Sequence, residues 1–365
     1  NRYSCLARLV SRYCNLFFAH LCIGSTIYIY YVLLSIIIVN YRSIDLILQC
    51  IDSIYRETRG IEFEIIVVDN ASGDNSERLL KEKFPGVRWL QMGYNAGFAR
   101  ANNAGMRTAA GNVFLLLNPD TIIEDQAIDR CYKQFTASPF VAAGVQMLNE
   151  DRSPQISGNF FMKGGLNHLL PLPYWGQLLR WFAFSIKTKV PNVAVAKETE
   201  EVDWVSGAFL MVKKEVVSKC GRMDEDFFLY AEEVEWCSRL QKAGKLCIFG
   251  NIHIIHLQGE AINKDQNSTE KGYQGLFDKK ALQVMVSNHV RIRKQYGVGW
   301  FFFQLLNYTW GVLVYAVIGF FHRLFTFRNP FGEMKKVAAF ARNVWKIWLL
   351  SPIIIRNRPY FYKML

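Results

Sequence analysis

The chain has no glycine-rich phosphate loop. Its first strand-like run, SIIIVNY at 35–41, is followed by RSIDLIL without a glycine, and GxxxxGK[ST] occurs nowhere. A dinucleotide cradle and a P-loop are thereby excluded, since both need the close backbone approach to phosphate that glycine permits. None of the eight cysteines forms a CxxC pair, which argues against a disulfide scaffold and for reduced thiols. Internal repeats and low-complexity tracts are absent, which excludes a repeat architecture. Acids almost vanish late in the chain: from Arg291 onward, 12 Lys+Arg face the single acid Glu333. The whole chain holds 43 Lys+Arg and 31 Asp+Glu, leaving 31 and 30 for the first 290 residues. The net charge of +12 therefore belongs to a basic tail on a near-neutral body.

What is present is a run of alternating strand-like and helix-like segments. Strands are expected at 35–41, 63–70, 87–92, around VFLLLNPD (113–120) and around VAAGVQML (141–148). Helices are expected at 43–58, 76–84, 97–109 and over IEDQAIDRCYKQF (123–135). In the first helix, Ile44, Ile47, Leu48, Ile51, Ile54 and Tyr55 recur at helical spacing. Continuous apolar strands alternating with helices imply an α/β fold whose largely parallel sheet is covered on both faces.

Ligands of such sheets bind beyond the carboxyl ends of the strands. Three polar clusters fall there: Asn40-Tyr41, Asp69-Asn70 and Asn118-Pro119-Asp120. Each alone has the composition of an ordinary turn; together they mark one edge as a site. With no glycine loop, a bound diphosphate needs a metal, and Asp120 is a suitable hard-oxygen ligand for Mg2+ or Mn2+.

SIIIVNY, VVDNASGDNS, NAGFARANNAG and LLNPDT follow one another in an order and spacing that resemble the inverting family 2 glycosyltransferases, in particular the rhamnosyltransferase-like enzymes of bacterial surface polysaccharide synthesis. VSGAFLMVKKEV (205–216), GRMDEDFFLYAEEVEWCSRLQKAG (221–244) and IIHLQGEA (254–261) extend the resemblance over about 35–262. It implies a GT-A type, Rossmann-like, mostly parallel sheet with helices on both faces. With the catalytic domain so placed at 34–262, composition sets off a hydrophobic extension of unassigned role at 1–33 and a helical basic, aromatic extension at 263–365 expected to associate with membrane.

By the same resemblance, Asp69 and Asn70 contact the uracil or thymine base and ribose of a UDP- or dTDP-linked sugar, over a floor of Asn40 and Tyr41. Asn95, Gly97, Phe98, Arg100 and Asn102 line the sugar-diphosphate channel, next to Asn118. Asp120 is the metal-binding acid, and His256 completes the metal site in preference to His253. Glu233 stands where the family usually carries an aspartate base, one methylene longer; Glu232 is the alternative. Trp204, Ser206 and Gly207 lie near the acceptor or donor sugar. A carboxylate within reach of an acceptor hydroxyl can take its proton as the oxygen attacks the anomeric carbon. The rival for DEDFFLYAEEVEW is a solvated acidic helix face, although four large apolar residues, Phe227 to Tyr230, precede its glutamates.

Two stretches raise a membrane question. Tyr13–Tyr41 contains no charged residue, and neither does Gly297–Phe321; both exceed the ~20 residues needed to span a bilayer. The end of the first reads better as a buried strand, and no small-residue cleavage site marks a secretory signal. The second holds Gln304 and Asn307, which favours an interfacial helix. KKVAAFARNVWKIWLL (335–350) places Val337, Phe340, Ala341, Val344, Trp345 and Trp348 on one stripe, apart from Lys335, Lys336, Arg342 and Lys346. Such a helix suits an anionic membrane surface, with packing on the body as its rival. Nucleic acid is not the expected partner, because the charges flank apolar blocks. The expected setting is the cytoplasmic face of the inner membrane, peripheral or singly anchored, near a glycan or lipid-linked acceptor. A polyprenyl-phosphate glycosyltransferase, a sugar nucleotidyltransferase and a non-catalytic binding protein are the competing readings.

Overall fold

The computed structural model describes residues 34–160, 169, 172–185, 192–257 and 275–365, together with a two-residue pairing of Cys22–Ile23 with Thr26–Ile27. The rest of the 1–33 extension, the 262/263 boundary and the Gly259-Glu260 end of the IIHLQGEA motif lie outside the described residues.

The strands of the main sheet are β1 (Leu34–Asn40), β2 (Phe63–Asp69), β3 (Arg88–Gln91), β4 (Val113–Leu117), β5 (Thr121–Ile122) and β6 (Ala142–Leu148), then β9 (Thr199–Val202), β11 (Phe209–Lys213) and β12 (Leu246–His256). Their order is β9-β12-β6-β11-β4-β1-β2-β3, with β5 attached to the end of β12. The expected parallel core is there: β4, β1, β2 and β3 run parallel, with Asn40 opposite Asp69. The exceptions are β11, wedged antiparallel between β4 and β6, and the strands β9 and β5, which pair antiparallel with β12. Two-residue strands β7 (Gly158–Asn159), β8 (Asn192–Val193) and β10 (Trp204–Val205) form a small separate sheet.

Alternation along β1 sends Ile36 and Ile38 to one face and Ile37 to the other. The first face packs against α1 (Ile44–Glu57) and α4 (Ala127–Thr136) through Ile47, Ile51, Cys131 and Phe135. The second packs against α3 (Gly97–Thr108) and α7 (Glu232–Leu240) through Ala101, Met106, Trp236 and Leu240. Both faces are dry, so the polar strand ends can collect only at the carboxyl edge. Helices α2 (Ser76–Lys83) and α6 (Lys214–Cys220) complete this body, whereas α5 (Trp175–Ser185) packs Trp175 and Leu179 on the C-terminal helices.

Beyond it, α8 (Lys279–Tyr296), α9 (Val298–Phe325) and α10 (Met334–Arg356) share a third core built on Phe301, Leu305, Phe340, Val344 and Ile347. The stripe read from the sequence of α10 is thus divided. Val337, Phe340 and Val344 face inward, and the Trp348 indole donates to Thr309 Oγ1 at 3.0 Å. Of the stripe, Trp345 alone is mostly exposed, at 62%; Met334 and Leu349 are the other large apolar side chains that α10 exposes. Packing against neighbouring helices takes most of the apolar face that a membrane was expected to cover. The outward apolar surface lies instead on α9, where Leu306, Trp310, Leu313, Val317, Phe321 and Phe325 are exposed. Both α9 and α10 are long and apolar enough to cross a membrane.

Candidate active site

The pairing of β1 with β2 sets Asn40 beside Asp69, and their side chains bond at 2.7 Å. Asp69 is 2% exposed and accepts four hydrogen bonds: from Asn40 Nδ2, from the backbone and hydroxyl of Ser72, and from Gln91 Nε2. A carboxylate offers about four lone-pair positions, so Asp69 is saturated within the fold and must exchange a partner to meet a base or ribose. Gln91, the exposed one, is the natural one to yield. Asn70 spans to the next loop, donating to the Gly97 carbonyl at 3.0 Å and accepting from Ala96 N at 3.3 Å. Tyr41 is half-buried, with the Arg42 guanidinium 5.3 Å from its ring centre.

The channel residues divide. Asn95 Oδ1 accepts from Gly97 N at 3.2 Å, and Phe98 N donates to the Phe228 carbonyl at 2.8 Å. Gly97 has φ +73°, and a Cβ there would lie 2.0 Å from the Phe228 oxygen; no other residue fits this approach. Arg100 donates to the Glu225 carbonyl at 2.8 Å and to the Tyr94 hydroxyl at 3.1 Å. Asn102 is 1% exposed and bonds the Phe98 carbonyl of its own helix, which takes it out of any solvent-facing wall. Its neighbour Asn103, not singled out in the sequence, ties α3 to Met223 and Glu225.

At the strand β4 terminus, antiparallel pairing of β5 with β12 puts His256 opposite Thr121. His256 Nε2 lies 3.4 Å from Asp120 Oδ1 and 3.3 Å from Asn118 Nδ2. Gln155 decides the tautomer. Its amide nitrogen donates to the His256 carbonyl at 2.5 Å, so its oxygen faces His256 Nδ1 at 2.9 Å and requires a proton there. In the neutral ring Nε2 then accepts from Asn118 Nδ2 and lies beside Asp120 Oδ1. His253 lies instead 3.4 Å from Asp125, so it is His256 that stands beside Asp120. No group of three His, Cys, Asp or Glu residues gathers as a metal cage among the described residues. One carboxylate and one imidazole suit Mg2+ or Mn2+, which keep waters and take substrate phosphates as further ligands. Gln155 gave no signal in the sequence, being one glutamine in a loop.

The three glutamates of α7 have separate roles. Glu235 is clamped by Arg239 at 2.7 and 2.8 Å. Glu232 is 3% exposed, and one of its oxygens has no hydrogen-bond partner among the described residues. Burial, then the adjacent Glu233 charge, pushes its pKa well above the ordinary carboxylate range. Glu233 is partly exposed. Burial raises its pKa too, while the Arg291 cation and the Trp204 indole favour the ionised form. A Cβ on Gly207 would lie 3.4 Å from the Phe98 ring and 3.6 Å from Glu233 Cβ, so glycine leaves a space between them. The next residue, Ala208, accepts from Asn118 N at 3.0 Å, which ties the Glu233 side of the site to the Asp120 side. Ser206 holds this turn, accepting from Ala208 N at 3.3 Å.

The profile of the family "Glycosyl transferase family 2" matches residues 35–182. Over this segment the chain is similar to family 2 glycosyltransferases. It is 28% identical over 258 residues to a low-salt glycan biosynthesis hexosyltransferase, Agl10, of Haloferax volcanii, covering 67% of this chain and 72% of that one. It is 26% identical over 220 residues to an N-acetylglucosaminyl-diphospho-decaprenol L-rhamnosyltransferase of Mycobacterium tuberculosis, covering 56% and 69%. It is also 26% identical over 233 residues to rhamnosyltransferase WbbL of Escherichia coli, covering 60% and 82%. In fold it is similar to a mannosyltransferase from Pyrobaculum calidifontis solved with GDP-Man and Mn2+, at TM-score 0.51 and 14% identity, over 96% of this chain and 94% of that one. The matched segment thus supplies the strand-end clusters and Asp120, whereas Glu233 and His256 lie beyond it.

Proposed function

We propose that this enzyme transfers a sugar, rhamnose or another hexose, from a UDP- or dTDP-linked donor to a hydroxyl of a glycan or lipid-linked acceptor, with inversion. The observation that carries this reading is the meeting of Asp120 with His256 Nε2 at the edge where Asn40, Asp69 and Asn118 converge. Asp120 and His256 would hold a divalent cation, which when bound neutralises the charge that develops on the departing diphosphate. Glu233 accepts the acceptor's proton while its oxygen attacks the anomeric carbon, and a single displacement inverts that centre. The gap between Phe98 and Glu233 opposite Gly207 admits the acceptor hydroxyl, and the neighbouring Trp204 indole favours the ionised carboxylate.

The relatives' names favour rhamnosyl or hexosyl transfer, and one names a lipid diphosphate acceptor. An anionic membrane surface suits the exposed Trp310, Phe321, Phe325, Phe327, Phe331 and Trp345, flanked by Arg323, Arg328, Lys335 and Lys346. Docking there, on the cytoplasmic face, brings the site to a lipid-linked acceptor.

The test is calorimetric titration of the enzyme with UDP and with dTDP, with and without Mn2+, alongside Asp120→Ala. Metal-dependent binding of one nucleotide that disappears in the variant is expected. Absence of binding to either nucleotide with metal present would sink the reading.

A further inference from the structure

Residues 360–364 return from the helical bundle to the candidate active site. After α10, Asn357 turns the backbone at φ +50°. Tyr362, 2% exposed, forms a parallel bridge with Phe227 and donates its N–H to the Asp226 carbonyl at 2.9 Å. Tyr360 N donates to Asp226 Oδ1 at 2.9 Å, and Lys294 of α8 reaches the same carboxylate at 2.6 Å. This segment is therefore docked by specific bonds on the loop that precedes Glu233.

Its side chains reach one part of the site. The Phe361 ring lies under the Arg100 guanidinium at 3.8 Å and meets the rings of Phe228 at 5.7 Å and Tyr94 at 6.4 Å. Lys363 Nζ is 3.4 Å from the Asn95 carbonyl and 4.9 Å from the Phe228 ring centre. Tyr94, Asn95 and Arg100 belong to the 94–100 segment that opens α3, and Phe228 to the loop that precedes Glu233.

Its backbone reaches the other part. Fully buried Gln283 donates to the Tyr362 carbonyl at 3.0 Å and accepts from Met364 N at 2.8 Å. The same amide nitrogen approaches the Leu229 carbonyl at 3.5 Å, and Ser287 donates to that carbonyl at 2.8 Å. Leu229 is followed by Tyr230 and Ala231, at φ +72° and +67°, and then by Glu232 and Glu233. Two consecutive left-handed residues other than glycine persist only where their surroundings over-determine them. Gln283 and Ser287 supply that restraint.

We infer that Tyr360–Met364 is a positioning strap for the active site, holding the 94–100 loop through Phe361 and the Leu229–Glu233 turn through Gln283. The inference rests on the donor-site reading of the 94–100 loop. It adds that the segment similar to family 2 is completed by residues far outside it.

The strap predicts separable kinetic effects. Phe361→Ala weakens UDP or dTDP binding, and raises the donor KM, by about tenfold, the scale of a lost cation–π contact, with kcat little changed. Phe361→Tyr keeps the ring and restores affinity. Gln283→Leu lowers kcat with nucleotide affinity retained. The experiment is calorimetry with UDP and dTDP in Mn2+ plus donor turnover on all four proteins, with thermal unfolding midpoints from the same preparations. If the wild type binds nucleotide and Phe361→Ala binds it equally well, the strap is overturned and the donor site stands. The same follows if both variants lose kcat and affinity only in proportion to lost folded protein. If the wild type binds neither nucleotide, the donor-site reading falls and the strap falls with it.

Discussion

In the proposed mechanism Glu233 can act as a base only while ionised, and its burial opposes ionisation. Activity should therefore fall on the acid side through a pKa above the ordinary carboxylate value of about 4.3, because protonation removes the base. A pH–rate profile with its acid limb at or below that value would remove Glu233 from the role. Glu233→Gln should lower kcat about 100- to 10,000-fold, the usual contribution of general base catalysis, while calorimetry shows nucleotide binding intact. Gln155 acts one shell further out, by fixing the proton on His256 Nδ1. Removing an outer partner of a ligating histidine commonly costs about 10- to 100-fold in metal affinity. Gln155→Leu should show that loss in a Mn2+ titration; unchanged affinity would mean that His256 is not a ligand.

At the scale of elements, the short connections around the site are fixed by close approaches more than by propensity. Helix α3 starts at a glycine because its backbone meets the Phe228 carbonyl. Gly97→Ala forces a side chain into the left-handed region, at about 1–2 kcal/mol, and also against that oxygen. The unfolding midpoint should drop and nucleotide affinity should fall with it. An alanine variant as stable as wild type would show that the Phe228 contact is dispensable. Helix α7 starts after Tyr230 and Ala231, whose left-handed backbone aims the first-turn glutamates differently: Glu232 inward, Glu233 toward Gly207 and Glu235 to Arg239. Helical spacing separates Glu233 from the other two, but only the packing shows which face holds the opening.

Across the whole molecule, the helical extension has an inward and an outward apolar side with different jobs. Phe340 is fully buried among α8, α9 and α10, so Phe340→Ala should destabilise by about 3–5 kcal/mol, read in denaturant unfolding. Trp345 and Trp310 are mostly exposed, so replacing both by alanine should leave stability nearly unchanged. The same pair should weaken flotation with vesicles containing anionic lipid. Undiminished flotation would place the lipid contact elsewhere.

The sequence alone determined the α/β body, its strand and helix positions to within a few residues, the strand-end location of Asn40, Asp69 and Asp120, and the basic tail. These follow from periodicity and charge, which are local properties of the chain. Tertiary structure decided the rest, because it depends on which distant residues meet. Strand β11 enters the sheet antiparallel since its hydrogen bonds are made with β4 and β6, more than 60 residues away. Asp69 proved saturated because Ser72 and Gln91 fold back onto it, and Asn102 turned inward onto its own helix. The register of β5 on β12 sets His256, and not His253, beside Asp120. The apolar stripe of α10 was plain in the sequence, but the choice between lipid and protein was made by the neighbouring helices that bury it.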